Sequence, residues 1–161
     1  MFSWLKNVWQ MAAGRERSTT RAADGARGEQ AAADFLKSRQ GFAIVTRNWR
    51  SPRDQRDEID LVCRDGDVLV FVEVKARAEG ALVAGYHAVD ERKKRALRRA
   101  VHAYLAGLTP PPRTFRFDVA EVTLSGRLPS QVRHFENVPL FPKGYYVARQ
   151  SGPPGGDAGG L

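Results

Sequence analysis

Asp60, Glu73 and Lys75, spaced D-x12-E-x-K, could gather two carboxylates and an ammonium around one divalent cation, provided two strands bring them to one face. The stretch Asp57 to Arg77, DEIDLVCRDGDVLVFVEVKAR, supplies those strands. Asp65-Gly66 is a two-residue hairpin signal, because both central positions of a type I′ turn need positive φ and Asp-Gly tolerates it. Counting outward from that turn, Arg64 faces Asp67, Asp60 faces Phe71 and Glu58 faces Glu73. Side chains alternate with period two, which sends Asp60, Glu73 and Lys75 to one side and Val68, Val70, Val72 and Val74 to the other. Asp60 and Glu73 are then diagonal neighbours about 7 Å apart at the backbone, close enough for one cation to take both carboxylates.

The Glu-x-Lys triplet by itself marks no more than an ion pair on an exposed strand, worth under about 1 kcal/mol. The combination says more. Val68 to Val74 is apolar enough for a buried strand, and two buried carboxylates lacking a counter-charge would protonate. A bound cation removes that penalty, and clustered buried carboxylates mark functional sites.

Around this hairpin the chain reads in order as helix, three antiparallel strands, helix, strand, strand. Residues 1–26 are expected to form a flexible extension, with a short amphipathic helix on Phe2, Leu5, Val8 and Trp9 as the partner-docking or membrane-surface alternative. The first helix runs from Arg27 to Arg39 and ends at Gly41, with Ala32, Ala33, Phe35 and Leu36 as its buried stripe. Glu29 lies on the same side, either complementing the helix dipole or reaching the site. Phe42 to Trp49 alternates as a first strand, and Pro52 ends it in a loop edged by Arg47, Arg50, Arg53 and Arg56, which are either solvated or phosphate-binding. Ala78 to Gly85 reads as a mobile loop over the site. A second helix spans His87 to Ala106, with Arg92, Lys94, Arg95, Arg98 and Arg99 facing outward as a solvated face or as phosphate contacts. Lys93 interrupts its apolar stripe and must either snorkel to the rim or meet a carboxylate. The remaining strands are Thr114 to Leu124 and an edge strand from Val132 to Val138. Asp118 is expected to cap, to pair with Arg116 or to support the site; His87 and His102 have no ligand spacing. From Pro139 onward the composition is that of a disordered tail, with residues 142–161 assigned to it outright.

The chain has 161 residues, one domain in length, and 26 Lys and Arg against 18 Asp and Glu give a net charge of +8. That balance favours polyanionic partners, above all nucleic acid. The single cysteine, Cys63, permits no internal disulfide and fits a reducing cytosol, with its side chain in the core. No apolar run reaches a membrane span and no signal peptide is read, so a cytoplasmic location is expected.

Gly28-Glu29, Asn48, EIDL, FVEVK, the basic helix and Arg116-Phe117-Asp118 together resemble the YraN-like family of small endonuclease-like bacterial proteins. The D-x12-E-x-K set is that of the PD-(D/E)xK nuclease superfamily, and the whole is more distantly similar to archaeal Holliday junction resolvases. The resemblance covers residues 27–141, taken as one nuclease-like domain, and implies an α/β fold of restriction-endonuclease type with a mixed central sheet flanked by helices. It implies a metal-dependent endonuclease acting on DNA, with branched or repair intermediates as substrates by analogy alone. Mg²⁺ or Mn²⁺ would be held by Asp60, Glu73 and the Val74 carbonyl, with Glu29 reaching in from the first helix and Lys75 orienting the attacking water. No other cofactor is expected. Lys93 and Glu58 are taken as supporting residues, and a homodimer is admitted. Where the family usually has Gly before EIDL this chain has Asp57, which would either crowd the strand entry or add a ligand. The rival reading is a DNA- or RNA-binding module that keeps the fold without turnover. A third is an adaptor using the Trp4 and Trp9 segment.

Overall fold

The computed structural model describes residues 3–80 and 91–141, with side chains from residue 20 onward. The elements are α1 (Ser3–Arg39), β1 (Ala43–Arg50), β2 (Glu58–Asp65), β3 (Val68–Ala78), α2 (Glu91–Ala106), β4 (Thr114–Ser125) and β5 (Leu128–Phe135). This is the expected order, and it forms the mixed α/β fold of a restriction-endonuclease-like domain. The five strands lie in the spatial order β1-β2-β3-β4-β5, all antiparallel except the β3–β4 pair, which is parallel and spanned by the crossover that contains α2.

Each helix covers one face of the sheet. Ala32, Ala33 and Leu36 of α1 bury against Leu61, Cys63, Val70, Val72, Ala120, Val122 and Leu124. On the opposite face Leu97, Ala100, Val101 and Leu105 of α2 bury against Ile59, Val62, Leu69, Phe71, Phe117 and Val119. Strands β2 and β3 are buried on both sides, as their continuous apolar runs require. Burial pushes the Cys63 thiol up to about 12, which keeps it an inert core group.

Three boundaries differ from expectation. The first helix begins at Ser3 rather than Arg27, because the polar stretch from Gly14 to Gly25, which offers few bulky apolar side chains for a core, still carries Ala and Arg, both good helix formers, and contains no Pro. It stops where Gly41 takes φ +76° and the Phe42 N–H turns back to the Leu36 carbonyl at 3.0 Å. The last strand begins at Leu128 and ends at Phe135, because Gly126 at φ +62° reverses the chain directly after Ser125 and Asn137 at φ +54° ends the pairing. Val138, expected to end the edge strand, and Leu140, expected in a stretch of tail-like composition, are both buried in the α2-side core, and the Val138 N–H donates to the Phe117 carbonyl at 2.8 Å. The expected mobile loop falls largely on residues 81–90, the start of the second helix at His87 falls within them, and the assigned tail falls on residues 142–161, so all of these lie outside the described residues.

Gly28 sets how closely α1 approaches β3, since a Cβ there would lie 2.7 Å from the Cβ of Ala76, the neighbour of Lys75. Gly28→Ala gains about 1 kcal/mol of helix propensity but forces the helix off the strand, an overpacking cost of about 1–3 kcal/mol. A net loss of stability in urea unfolding is the expected result, reversed by adding Ala76→Gly. A more stable Gly28→Ala would show that the close approach is not needed.

Candidate active site

The β2–β3 hairpin turns at Gly66-Asp67, one residue later than expected. Asp65 pairs with Val68, and Gly66, at φ +55°, stands at the first central position as a II′ turn requires. Pairing continues to Leu61↔Val72 and there the two strands part. Beyond that point β2 stays with β1 through Arg50↔Glu58, while β3 stays with β4 through Ala78↔Leu124. The expected register is thus displaced by two residues. An even displacement keeps the side chains of the paired residues on their expected faces, and Asp60 stands opposite Glu73 in the continued register rather than diagonal to it.

The candidate site lies in the gap between the parted strands. Asp60 and Glu73 are both buried, Glu73 to 2% exposure. Asp60 Oδ2 accepts the Val74 N–H at 2.7 Å, replacing the ladder bond that β2 no longer supplies. The N–H and C=O of a strand residue point to the same side, so the Val74 carbonyl faces the gap as well. Glu73 Oε1 accepts Lys75 Nζ at 2.7 Å and lies 3.2 Å from Lys93 Nζ. Glu73 Oε2 is buried with no hydrogen-bond partner among the described residues.

The electrostatics follow from this packing. Burial pushes the Asp60 carboxyl up to about 7; the Glu73 charge adds to the rise, the Val74 N–H and the Lys93 charge oppose it, and Glu29 adds a smaller push. Burial alone would lower the Lys93 ammonium, but Glu73 and Asp60 outweigh it and hold it raised. Of the two expectations for Lys93, it is the carboxylate contact that forms. Glu29 is half-buried and near enough to act on Asp60 through its charge. It is not gathered with Asp60 and Glu73 into a cage, since no group of three or more His, Cys, Asp or Glu among the described residues could hold a metal. Glu58 pairs with Arg50 at 3.3 Å.

The basic residues divide into two sets. Arg92 and Arg95 are exposed on the outer side of α2, with Lys94 held by Glu91 at 3.0 Å. Arg98 and Arg99, expected to face outward as solvated or phosphate-binding residues, both bond to the protein, Arg98 half-buried and Arg99 still exposed. Arg98 Nε donates to the Leu140 carbonyl at 2.6 Å, and Arg99 grips Asp57 through both carboxylate oxygens at 2.9 and 2.6 Å. Asp57 therefore does not crowd the strand entry but pairs with Arg99. It is a buried anchor that, with its N–H on the Asp54 carbonyl and its own carbonyl on the Ser51 N–H, closes the 51–57 loop against α2. Sequence reasoning missed this pairing because 42 residues separate the partners. Between loop and helix lies a cleft of about 1020 Å³, lined among others by Pro52, Arg53, Arg98, Arg99, His102 and Phe141. Arg47 donates to Gln30 Oε1 of α1 at 2.7 Å.

Asp118 takes the Arg116 alternative. It is fully buried, accepts Arg116 Nε at 3.1 Å and the Asn137 N–H at 3.0 Å, and lies 2.9 Å from His134 Nε2. Arg116 extends to Asp65 at 2.8 Å, so the cluster ties the hairpin end of the sheet together on the α1 side, away from Glu73.

Residues 28–122 match the family described as Uncharacterised protein family UPF0102. The chain is similar to a UPF0102 protein of Chlorobaculum parvum, 42% identical over 113 residues that cover 70% of this chain and 84% of that one. It is also similar to one from Symbiobacterium thermophilum, 47% identical over 98 residues, 61% of this chain and 80% of that one. A third, from Anaeromyxobacter dehalogenans, is 43% identical over 115 residues, 71% of this chain and 82% of that one. No helix among the described residues is long and apolar enough to cross a membrane.

Proposed function

The chain belongs to the UPF0102 (YraN-like) family, and we propose that it is a metal-dependent endonuclease that hydrolyses phosphodiester bonds in DNA. One observation carries this reading: two buried carboxylates converge on a gap between parted strands, and one of their oxygens, Glu73 Oε2, has no hydrogen-bond partner among the described residues. A buried anionic oxygen left unpaired is costly unless a cation meets it. Two carboxylates and a carbonyl suit Mg²⁺, which binds one or two carboxylates and otherwise keeps its waters or takes phosphate oxygens. A bound Mg²⁺ or Mn²⁺ would lower the pKa of a coordinated water and neutralise charge that builds on the scissile phosphate.

The chain's own residues do the rest. Asp60 and Glu73 fix the ligand oxygens from two different strands, and the Val74 N–H locks the Asp60 rotamer. Lys75, held 2.7 Å from Glu73, presents an ammonium on the reacting side, where it can orient the attacking water and counter transition-state charge. Lys93 brings a second positive charge from α2. Arg92 and Arg95 give a polyanion its purchase, and the cleft lined by Arg53, Arg98 and Arg99, with Asp54 and Asp57 among them, lies about 9 Å along α2 from Lys93.

A second reading, a binding module without turnover, draws on the same lysines, because Lys75 and Lys93 already compensate Glu73 with no metal at all. The two readings separate in a panel of linear, flapped and four-way-junction DNA with matching RNA, incubated with Mg²⁺ or Mn²⁺. Wild type should cut at least one DNA substrate and Glu73→Ala none. An Arg92→Ala/Arg95→Ala double variant should bind all sequences more weakly, with a salt slope reduced by about 2. Binding without cutting by wild type across the panel would favour the module.

A further inference from the structure

Residues two apart on a regular strand share a face. Leu61 and Ile59 do not: Leu61 packs in the core beneath α1 and Ile59 in the core beneath α2. Their partners on β1 divide in the same way. Arg47, paired with Leu61, bonds to Gln30 of α1, whereas Trp49, paired with Ile59, meets Tyr104 of α2 edge-on with ring centroids 5.3 Å apart. The β1–β2 ribbon therefore turns over between these two pairs. The residues at the turnover are Asn48 and Asp60, which the register sets side by side.

Asn48 has φ +50°, in the left-handed region, in the interior of a strand with paired residues on either side. Asparagine is one of the few non-glycine residues that adopt this conformation readily. Its side chain is exposed and fills no core. Across from it, Asp60 reaches over the gap to the Val74 N–H instead of packing under a helix. Ordinary extended geometry at residue 48 would keep Arg47 and Trp49 on one face and, with them, Leu61 and Ile59, so that Asp60 would stand perpendicular to the sheet.

We propose that the left-handed backbone of Asn48 is the device that aims Asp60 across the β2–β3 gap, which makes Asn48 a positioning residue for the site. Its consequence for catalysis rests on the reading of Asp60 as a cation ligand; the geometric statement does not. Outliers of this kind persist only where the surrounding structure holds them, and they gather at functional sites. What Asn48 contributes is its φ, so glycine should replace it and a β-branched residue should not.

The test compares Asn48→Gly, Asn48→Ala and Asn48→Val in the full chain by two readouts, hydrogen exchange at the Val74 amide and Mn²⁺ affinity by calorimetry. The exchange at Phe71 and Val119 serves as a check that the core remains folded. Asn48→Gly should match wild type within about two-fold, while Asn48→Val should lose about ten-fold in both Val74 protection and Mn²⁺ affinity, the scale of the left-handed penalty. Asn48→Ala should fall between them and serves if the valine variant does not fold. Unchanged Val74 protection in the alanine and valine variants would overturn the proposal. So would an equal loss in the glycine variant, which would assign the effect to the side-chain amide. If wild type binds no Mn²⁺ yet Val74 exchange follows the expected order, the positioning role stands and the cation reading fails.

Discussion

Lys75→Ala is expected to lose at least about 100-fold in cleavage rate while nucleic acid affinity stays within a few-fold, the scale of removing one preorganised electrostatic contact. The reason lies in what the ammonium touches. Lys75 Nζ sits 2.7 Å from Glu73 Oε1 with about a quarter of its side chain exposed, so in the proposed nuclease it would border the reacting space rather than the surface that binds DNA. Lys93 shares the same oxygen at 3.2 Å and keeps Glu73 compensated when Lys75 is gone, so the variant should fold and bind. Single-turnover cleavage and equilibrium binding, measured on one substrate, separate the two effects. Parallel losses in rate and affinity would instead make Lys75 a binding residue.

Asp60→Asn is expected to stabilise the metal-free protein. A carboxyl whose folded pKa is raised from 3.8 to about 7 binds its proton more tightly folded than unfolded. Its contribution is therefore most favourable below pH 4 and is lost as pH rises towards 7, since between these values the folded state holds a proton that the unfolded state does not. At about 1.4 kcal/mol per pKa unit the shift sets an upper bound of roughly 4 kcal/mol. Asparagine keeps an acceptor for the Val74 N–H and removes the charge. The variant should gain on wild type as pH rises from 4 to 7, with Tm rising by about 2–4 °C per kcal/mol for a chain of this size. Saturating Mn²⁺ should close the gap by stabilising wild type alone. Melting curves at pH 4 and pH 7, with and without Mn²⁺, check all three statements, and a gap that does not change with pH would mean that Asp60 is not strained by burial.

The faces of the central hairpin were legible in the sequence because period-two alternation survives a register error of two residues. The Asp-Gly signal marked the turn but not which of its residues occupy the central positions, since only Gly66 needs positive φ. The α1 and α2 stripes were legible for the same reason of periodicity. What the sequence concealed was long-range pairing. Nothing local distinguishes Arg99, which grips Asp57, from the also exposed Arg92 seven residues before it, for which no such bond forms among the described residues. Likewise, the polar composition from Gly14 to Gly25 suggested an extension outside the domain and did not show that this stretch continues α1. The turnover at Asn48 is equally silent, because its evidence is the division of neighbouring side chains between two cores.

The most direct test of the central claim, that Asp60 and Glu73 form a divalent cation site, is a calorimetric Mn²⁺ titration of wild type and Asp60→Asn at pH 7.5. Wild type should bind at the pair, and the variant should bind far more weakly, by at least about ten-fold, since one of only two carboxylate ligands has gone. Equal affinity in the two proteins would contradict the site.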